Sequence, residues 1–239
     1  MKKKVLFTLT AAMTISSVAL ASPLSNYEKG KLAIDVNTSI SPKVEINAGD
    51  LSGKDDAKNR LGAAITYGLG DKWALQYKYS DNKTESYSYE ETTPFDYESG
   101  TANGQLSAHE FNVLYQLDPN ISAFVGWTRA SAKINWSYKY GPDASTITDS
   151  GSGTEKQSKS GYQIGLIGQT KLADKVTGWA SVSAGNKITG YEIGVGYDMS
   201  KNTEFNVFYR DTKYKDFNIG GEKIDVKTKG LGAGVTFKF

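Results

Sequence analysis

The sequence predicts an all-β chain closed into an antiparallel transmembrane barrel of about ten strands. Three observations predict it: segments that alternate apolar with polar residues, connections that alternate short with long, and a final stretch of the same alternation ending on an aromatic residue. In 230–239, Leu231, Ala233, Val235, Phe237 and Phe239 fall on one strand face, and Gly230, Gly232, Gly234, Thr236 and Lys238 fall on the other. This follows because side chains in a strand alternate with a period of two. A closed barrel in a bilayer needs such an apolar outer face, with aromatic residues where lipid meets water.

The same template places nine strands before the last. In 31–40, Leu32, Ile34, Val36 and Ile40 oppose Ala33, Asp35, Asn37 and Ser39. In 59–68, Leu61, Ala63, Ile65 and Tyr67 oppose Arg60, Gly62, Ala64 and Thr66. In 73–81, Trp73, Leu75, Tyr77 and Tyr79 oppose Ala74, Gln76, Lys78 and Ser80, and in 108–117 Phe111, Val113 and Tyr115 oppose Glu110, Asn112 and Leu114. The fifth segment, 121–140, supports two parities. Val125 and Trp127 favour one; Phe124, Ala130, Ala132, Ile134, Trp136 and Tyr138 favour the other, which turns Arg129, Lys133 and Asn135 inward. The second is preferred, with a bulge expected near Gly126. Four more strands follow in 161–172, 176–185, 189–199 and 203–211, with Gln163, Gln169, Trp179, Glu192, Glu204 and Arg210 inward.

The connections support the count. Gly70-Asp71-Lys72, Asp118-Pro119-Asn120, Ala173-Asp174-Lys175 and 198–202 are short and rich in turn formers. Stretches 41–58, 82–107, 141–160 and 212–227 are long and polar, and only 186–188 is short among the connections after odd strands. Short periplasmic turns alternating with long extracellular loops are the asymmetry of bacterial outer-membrane barrels. Eight strands are the alternative, reached if the weak 176–185 segment and a neighbour are misread. The Gly/Ser-rich 145–159 stretch reads as a surface loop and not a domain boundary, because strands of the same period flank it.

At the other end, Lys2, Lys3 and Lys4 precede a mostly apolar run that closes on Ala19-Leu20-Ala21, the pattern of a cleaved secretory signal. The expected organisation is a signal peptide over 1–21 and one barrel domain over 22–239. Without those three lysines the 28 basic and 26 acidic residues become 25 and 26, so the mature charge is −1. No basic stripe remains to bind nucleic acid. The chain has no cysteine, so stability has to come from closure, which leaves no sheet edge unpaired in lipid.

A ring of about ten strands encloses a narrow lumen, since about eight can be filled by side chains and about sixteen make a wide channel. The inward positions offer Asp35, Arg60, Lys78, Glu110, Arg129, Glu192, Glu204 and Arg210. Opposite charges confined there pair and plug the interior, or set the selectivity of a small-solute pore. Catalysis has little support. His109 is the only histidine, and its neighbour Glu110 projects to the opposite face. No second histidine or cysteine completes a transition-metal site, so no catalytic, metal or cofactor residues are expected. Long stretch 82–107 interleaves Glu85, Glu90, Glu91, Asp96 and Glu98 with Tyr87, Tyr89, Phe95 and Tyr97, and Tyr138 and Tyr140 continue the theme, which suits surface contact.

The signal-like start, the alternating strands, the short/long asymmetry and the 230–239 strand together resemble the small Gram-negative outer-membrane β-barrel superfamily, which includes OmpA-type, opacity-like and OmpW-like barrels. The resemblance implies export to the outer membrane, contact with outer-membrane lipid, and an assembly signal at Phe237 and Phe239 read by the barrel-assembly machinery. It specifies the architecture and not the activity; the function expected first is a non-enzymatic one, as a narrow or occluded passive pore with a structural place in the envelope. The alternatives are an adhesin or interaction protein binding surface ligands through its loops, and a porin for small solutes. The chain lacks the Asp-x-His spacing of omptin-type proteases and the His-x-Ser pair of lipid A deacylases.

Overall fold

The computed structural model of the protein describes residues 26–48, 51–56, 61–83, 86–219 and 222–239. The expected signal peptide and Arg60 lie outside the described residues. Among those described, twelve strands run antiparallel: β1 (Leu32–Ala48), β2 (Leu51–Asp56), β3 (Leu61–Gly70), β4 (Trp73–Lys83), β5 (Tyr87–Thr92), β6 (Tyr97–Asp118), β7 (Ile121–Gly141), β8 (Asp149–Ala173), β9 (Val176–Gly185), β10 (Ile188–Ser200), β11 (Thr203–Ile219) and β12 (Glu222–Lys238). Each is hydrogen-bonded to its neighbours, and β12 returns to β1 through Ile34↔Phe237 and Val36↔Val235, so the sheet closes. The closing pairs remove the two edges that lipid could not satisfy.

Ten strands form the ring, and β2 and β5 are upper continuations of it. β3 pairs with the lower part of β1 (Leu32↔Tyr67 to Thr38↔Leu61), and β2 pairs with the upper part (Lys43↔Asp56 to Ala48↔Leu51). In the same way β4 meets β6 from Trp73↔Tyr115 to Lys83↔Gln105, and β5 meets it from Tyr87↔Ala102 to Thr92↔Tyr97. The four long stretches expected to be loops are therefore largely strand. β1 continues to Ala48, so the first of them extends the wall. β9 and β10, by contrast, are joined low, by a turn directly after Gly185.

Two girdles of outward aromatic side chains mark the membrane. Trp73 packs on Tyr115 with ring centroids 4.7 Å apart near the periplasmic end. Tyr77, Phe111 and Trp127 form the other girdle, with centroids 4.8 and 6.0 Å apart. The seven residues from Trp73 to Tyr79 cover about 20 Å of strand. Between the girdles Ile65, Leu75, Val113, Val125, Ile164, Leu166, Ile193, Val195 and Val207 are exposed on the outside, an apolar band suited to lipid. Phe237 and Phe239 are exposed at its lower edge.

Above the upper girdle the polarity inverts. Leu106, Ala108, Ala130, Ala132, Ile134, Ile188, Tyr214, Phe217, Ile224 and Val226 are buried inside the ring as one core, while Lys133, Lys213, Lys223, Lys227 and Lys229 face out. This corrects the fifth strand. Thr128 is buried and Arg129 exposed, so Arg129 is on the outer face and not in the lumen. Gly126 pairs with Asn112 and Gln163 in uninterrupted register, with no bulge. The apolar parity of β7 changes because the solvent outside changes from lipid to water, while the backbone keeps its phase. A true irregularity lies on β11, where the register with β12 shifts between Tyr214 and Phe217 and Asp216 takes φ +61°.

Candidate functional site

The lumen is filled in layers. At the periplasmic end Tyr27 enters from the segment before β1 and packs with Ala33, Ala74, Leu114, Phe124 and Ile167. Its hydroxyl donates to Ser122 Oγ at 3.0 Å, and its carbonyl accepts from the amide of Gly70 at 3.0 Å. Gly70 takes φ +91° in the tight turn below β3, a conformation available to glycine without a Cβ penalty.

A polar belt lies above it. Gln76 Nε2 donates to Thr66 Oγ1 at 3.1 Å, Asn112 Nδ2 to Gln76 Oε1 at 3.1 Å, and Gln163 Nε2 to Asn112 Oδ1 at 3.0 Å. Gln163 also reaches Glu110 Oε2 at 3.0 Å, which sits 3.7 Å from Lys78 Nζ. Across the same interior Arg210 Nε donates to Glu192 Oε2 on the neighbouring strand. Glu204 pairs with Lys238 at 2.7 Å, and Asn206 Nδ2 donates to Thr236 Oγ1 at 3.3 Å. Buried charges are tolerable when paired and hydrogen-bonded, and Gln163 at the end of the amide chain supplies such a bond to Glu110.

Of the charges expected inside, the structure brings Lys78 to Glu110 and Arg210 to Glu192. It sets Glu204 against Lys238, and it places Asp35, buried, opposite Thr236. Arg129 is excluded, as described. Tyr27, which the strand pattern does not single out, completes the packing together with Trp179 and Phe208 at inward strand positions. Trp179 and Phe208 cluster with Ala64, and they fit because glycines face them. A Cβ on Gly194 would come within 2.5 Å of Trp179, one on Gly165 within 2.3 Å of Phe124, and one on Gly232 within 2.1 Å of Phe208. The abundance of glycine is the recognisable signal of such an interior. Beside the ionic layer a cavity of about 30 Å³ is bordered by Lys78, Glu110, Ser181, Ser183, Glu192 and Arg210.

His109 projects outward into the upper girdle. Its Nδ1 is 2.9 Å from the Tyr77 hydroxyl, and its ring is 5.1 Å from that of Tyr79. Glu110, its neighbour, lies in the lumen, so the two belong to different environments.

The extracellular turns are tied by side chains. Asp143 accepts from Ser145 Oγ at 2.6 Å and from the Ser145 and Thr146 amides at 2.9 Å, bonds that hold its carboxyl below the usual range. Asp216 meets Lys187 at 2.6 Å, which lowers its pKa too. Tyr138 donates to Asp149 at 3.2 Å, and that carboxylate raises the phenol above its ordinary value.

The fold is similar to that of the outer membrane protease OmpT from Escherichia coli, at TM-score 0.53 and 15% identity over 93% of this chain and 100% of that one. The attachment invasion locus protein Ail of Yersinia pestis, in complex with the heparin analogue sucrose octasulfate, is similar at TM-score 0.44 and 10% identity, covering 87% of this chain and 99% of Ail. Neisserial surface protein A gives 0.37 and 12%, over 88% of this chain and 100% of that one. A comparison with the curated proteins gives no match. The model of the outer membrane protein beta-barrel domain matches residues 7–239, and the chain, a closed antiparallel barrel of the Gram-negative outer membrane, belongs to that family.

Proposed function

We propose that the protein is a non-enzymatic barrel with an occluded or very narrow pore and a structural role in the envelope. The observation that supports this best is the layered lumen, in which an apolar floor around Tyr27, a bonded polar belt and an apolar upper core succeed one another. The cavity beside the ionic layer has about 30 Å³, space for roughly two waters. In a planar bilayer the purified chain is expected to give little or no conductance. Steady large openings would overturn this reading in favour of a small-solute porin.

A second reading, a surface adhesin or interaction protein, is favoured by the height of the wall. β6 and β7 continue twelve residues beyond the His109↔Arg129 pair, to Tyr97 and Gly141, about 40 Å of strand above the upper girdle. Such a rigid projection exceeds what membrane insertion needs. Cutting the β5–β6 and β7–β8 hairpins back to short turns should abolish attachment to other surfaces and leave the barrel folded. Unchanged attachment would remove this reading.

A further inference from the structure

Near the top of the projection the inner faces of β5 to β8 carry aromatic rings laid over glycines. Trp136 and Tyr138 follow one another on β7, with centroids 6.0 Å apart and planes within 19°. Their partners on β8 are Gly153 and Gly151, and Gly100 lies between Tyr89 and Tyr138. A Cβ on Gly153 would fall 2.7 Å from Trp136, one on Gly151 2.6 Å from Tyr138, and one on Gly100 2.5 Å from Tyr89. The rings therefore lie flat on the sheet, with Trp136, the lowest of them, partly buried against the upper core and Tyr138 above it half-exposed.

Carboxylates surround them. Glu98 and Asp149 share the next cross-strand row with Tyr140, and Glu155 faces the same way one row below Trp136. The Tyr89 hydroxyl holds Glu98 at 2.8 Å, and Tyr138 holds Asp149 at 3.2 Å, so both acids are oriented. Among the described residues no basic side chain occupies the inward positions of these rows. Lys133, Lys139 and Lys156 are on the outward face of the same strands. In these rows the inner face is thus acidic, while the outer face carries Lys133, Lys139 and Lys156 together with Glu90.

We propose that this inner aromatic face docks an extended basic peptide, a refinement that rests on the surface-interaction reading. Ring faces attract guanidinium and ammonium groups, arginine above all, and the bordering carboxylates complement the same charge. Inward side chains on β7 repeat about every 6.8 Å, the spacing of alternate side chains in an extended peptide. A partner with arginine or lysine at every second position therefore meets Trp136, Tyr138 and Tyr140 in register.

The test uses the full chain in lipid nanodiscs. The probes are a nine-residue peptide with arginine at alternate positions, its glutamine counterpart and an uncharged hexasaccharide. The arginine peptide should bind and the glutamine peptide should not. Trp136→Ala and the double change Glu98→Gln with Asp149→Asn should each weaken binding at least tenfold. Glu90→Gln, which removes a charge from the outward face, should leave it within twofold. A heat-shifted gel band confirms that each variant is folded. Absence of arginine-peptide binding, or equal weakening by Glu90→Gln, overturns the proposal. Hexasaccharide binding that survives the double change also overturns it and assigns the face to glycans. If the trimmed hairpins lose attachment but the inner-face variants attach normally, the surface reading stands and the peptide site falls.

Discussion

Within the membrane the wall turns Gln76, Glu110, Asn112, Gln163 and Arg210 inward and apolar side chains outward; above it Leu106, Ile134, Ile224 and Val226 turn inward and lysines outward. One backbone phase serves both zones along β6, β7 and β12, so the strand itself has no preference for which face is apolar. What decides is the medium on each side. In lipid the outside must be apolar, and the interior can be polar only if its groups bond to one another. In water the outside is polar and the interior becomes an ordinary hydrophobic core. The upper third is thus a small soluble barrel built onto a membrane barrel.

The contrast can be broken most severely in the membrane zone's interior. Glu192→Gln leaves the Arg210 guanidinium buried without its counter-charge, and such losses cost about 3–5 kcal/mol. The urea midpoint in lipid should fall accordingly, and adding Arg210→Met should restore most of it. Recovery is the informative half, because it separates the pair from the packing around it. A matched pair of changes then compares the zones directly. Leu106→Ala in the upper core should cost about 2–5 kcal/mol, read as faster proteolysis of the projection with the membrane zone still protected. Ile193→Arg on the lipid face should cost about 2–4 kcal/mol near the midplane, read as loss of folding into bilayers, with little effect on the projection. If both variants failed in the same way, the two zones would be one cooperative unit. The smallest effect belongs to Arg129→Leu. Its side chain is exposed at the boundary, so stability should stay within about 0.5 kcal/mol; a large loss would return Arg129 to the lumen.

The membrane zone was legible in the sequence wherever lipid imposed the pattern. Strands such as 189–199 and 203–211 carry apolar residues on one parity and polar on the other, and both faces match the structure. The projection was harder to read, for a physical reason. On β8 the inward positions Gly151 and Gly153 are glycine because rings from β7 lie over them, so the strand shows no apolar face of its own and looks like a Gly/Ser loop. β7 crosses the boundary in one phase, so its apolar side chains pass from the outward positions Val125 and Trp127 to the inward positions Ala130, Ala132 and Ile134; taking the apolar face as outward above the membrane misplaced Arg129, Lys133 and Asn135. Tyr27 belongs to no strand, and no periodicity could have pointed to it. Among the lumen charges the pattern gave the face but not the partner, because pairing depends on the register of strands far apart in sequence.

The fit of large side chains against glycines has a consequence for how this wall can change over generations. Phe124 with Gly165, Trp179 with Gly194 and Phe208 with Gly232 each divide a fixed volume between two strands. Enlarging the glycine alone is refused by the ring above it, and shrinking the ring alone opens a void. The accessible route is an exchange, in which bulk passes from one strand to its neighbour and the sum is kept. Relatives of this chain should therefore carry these positions as linked pairs, with the aromatic residue on either side of the seam but seldom on both.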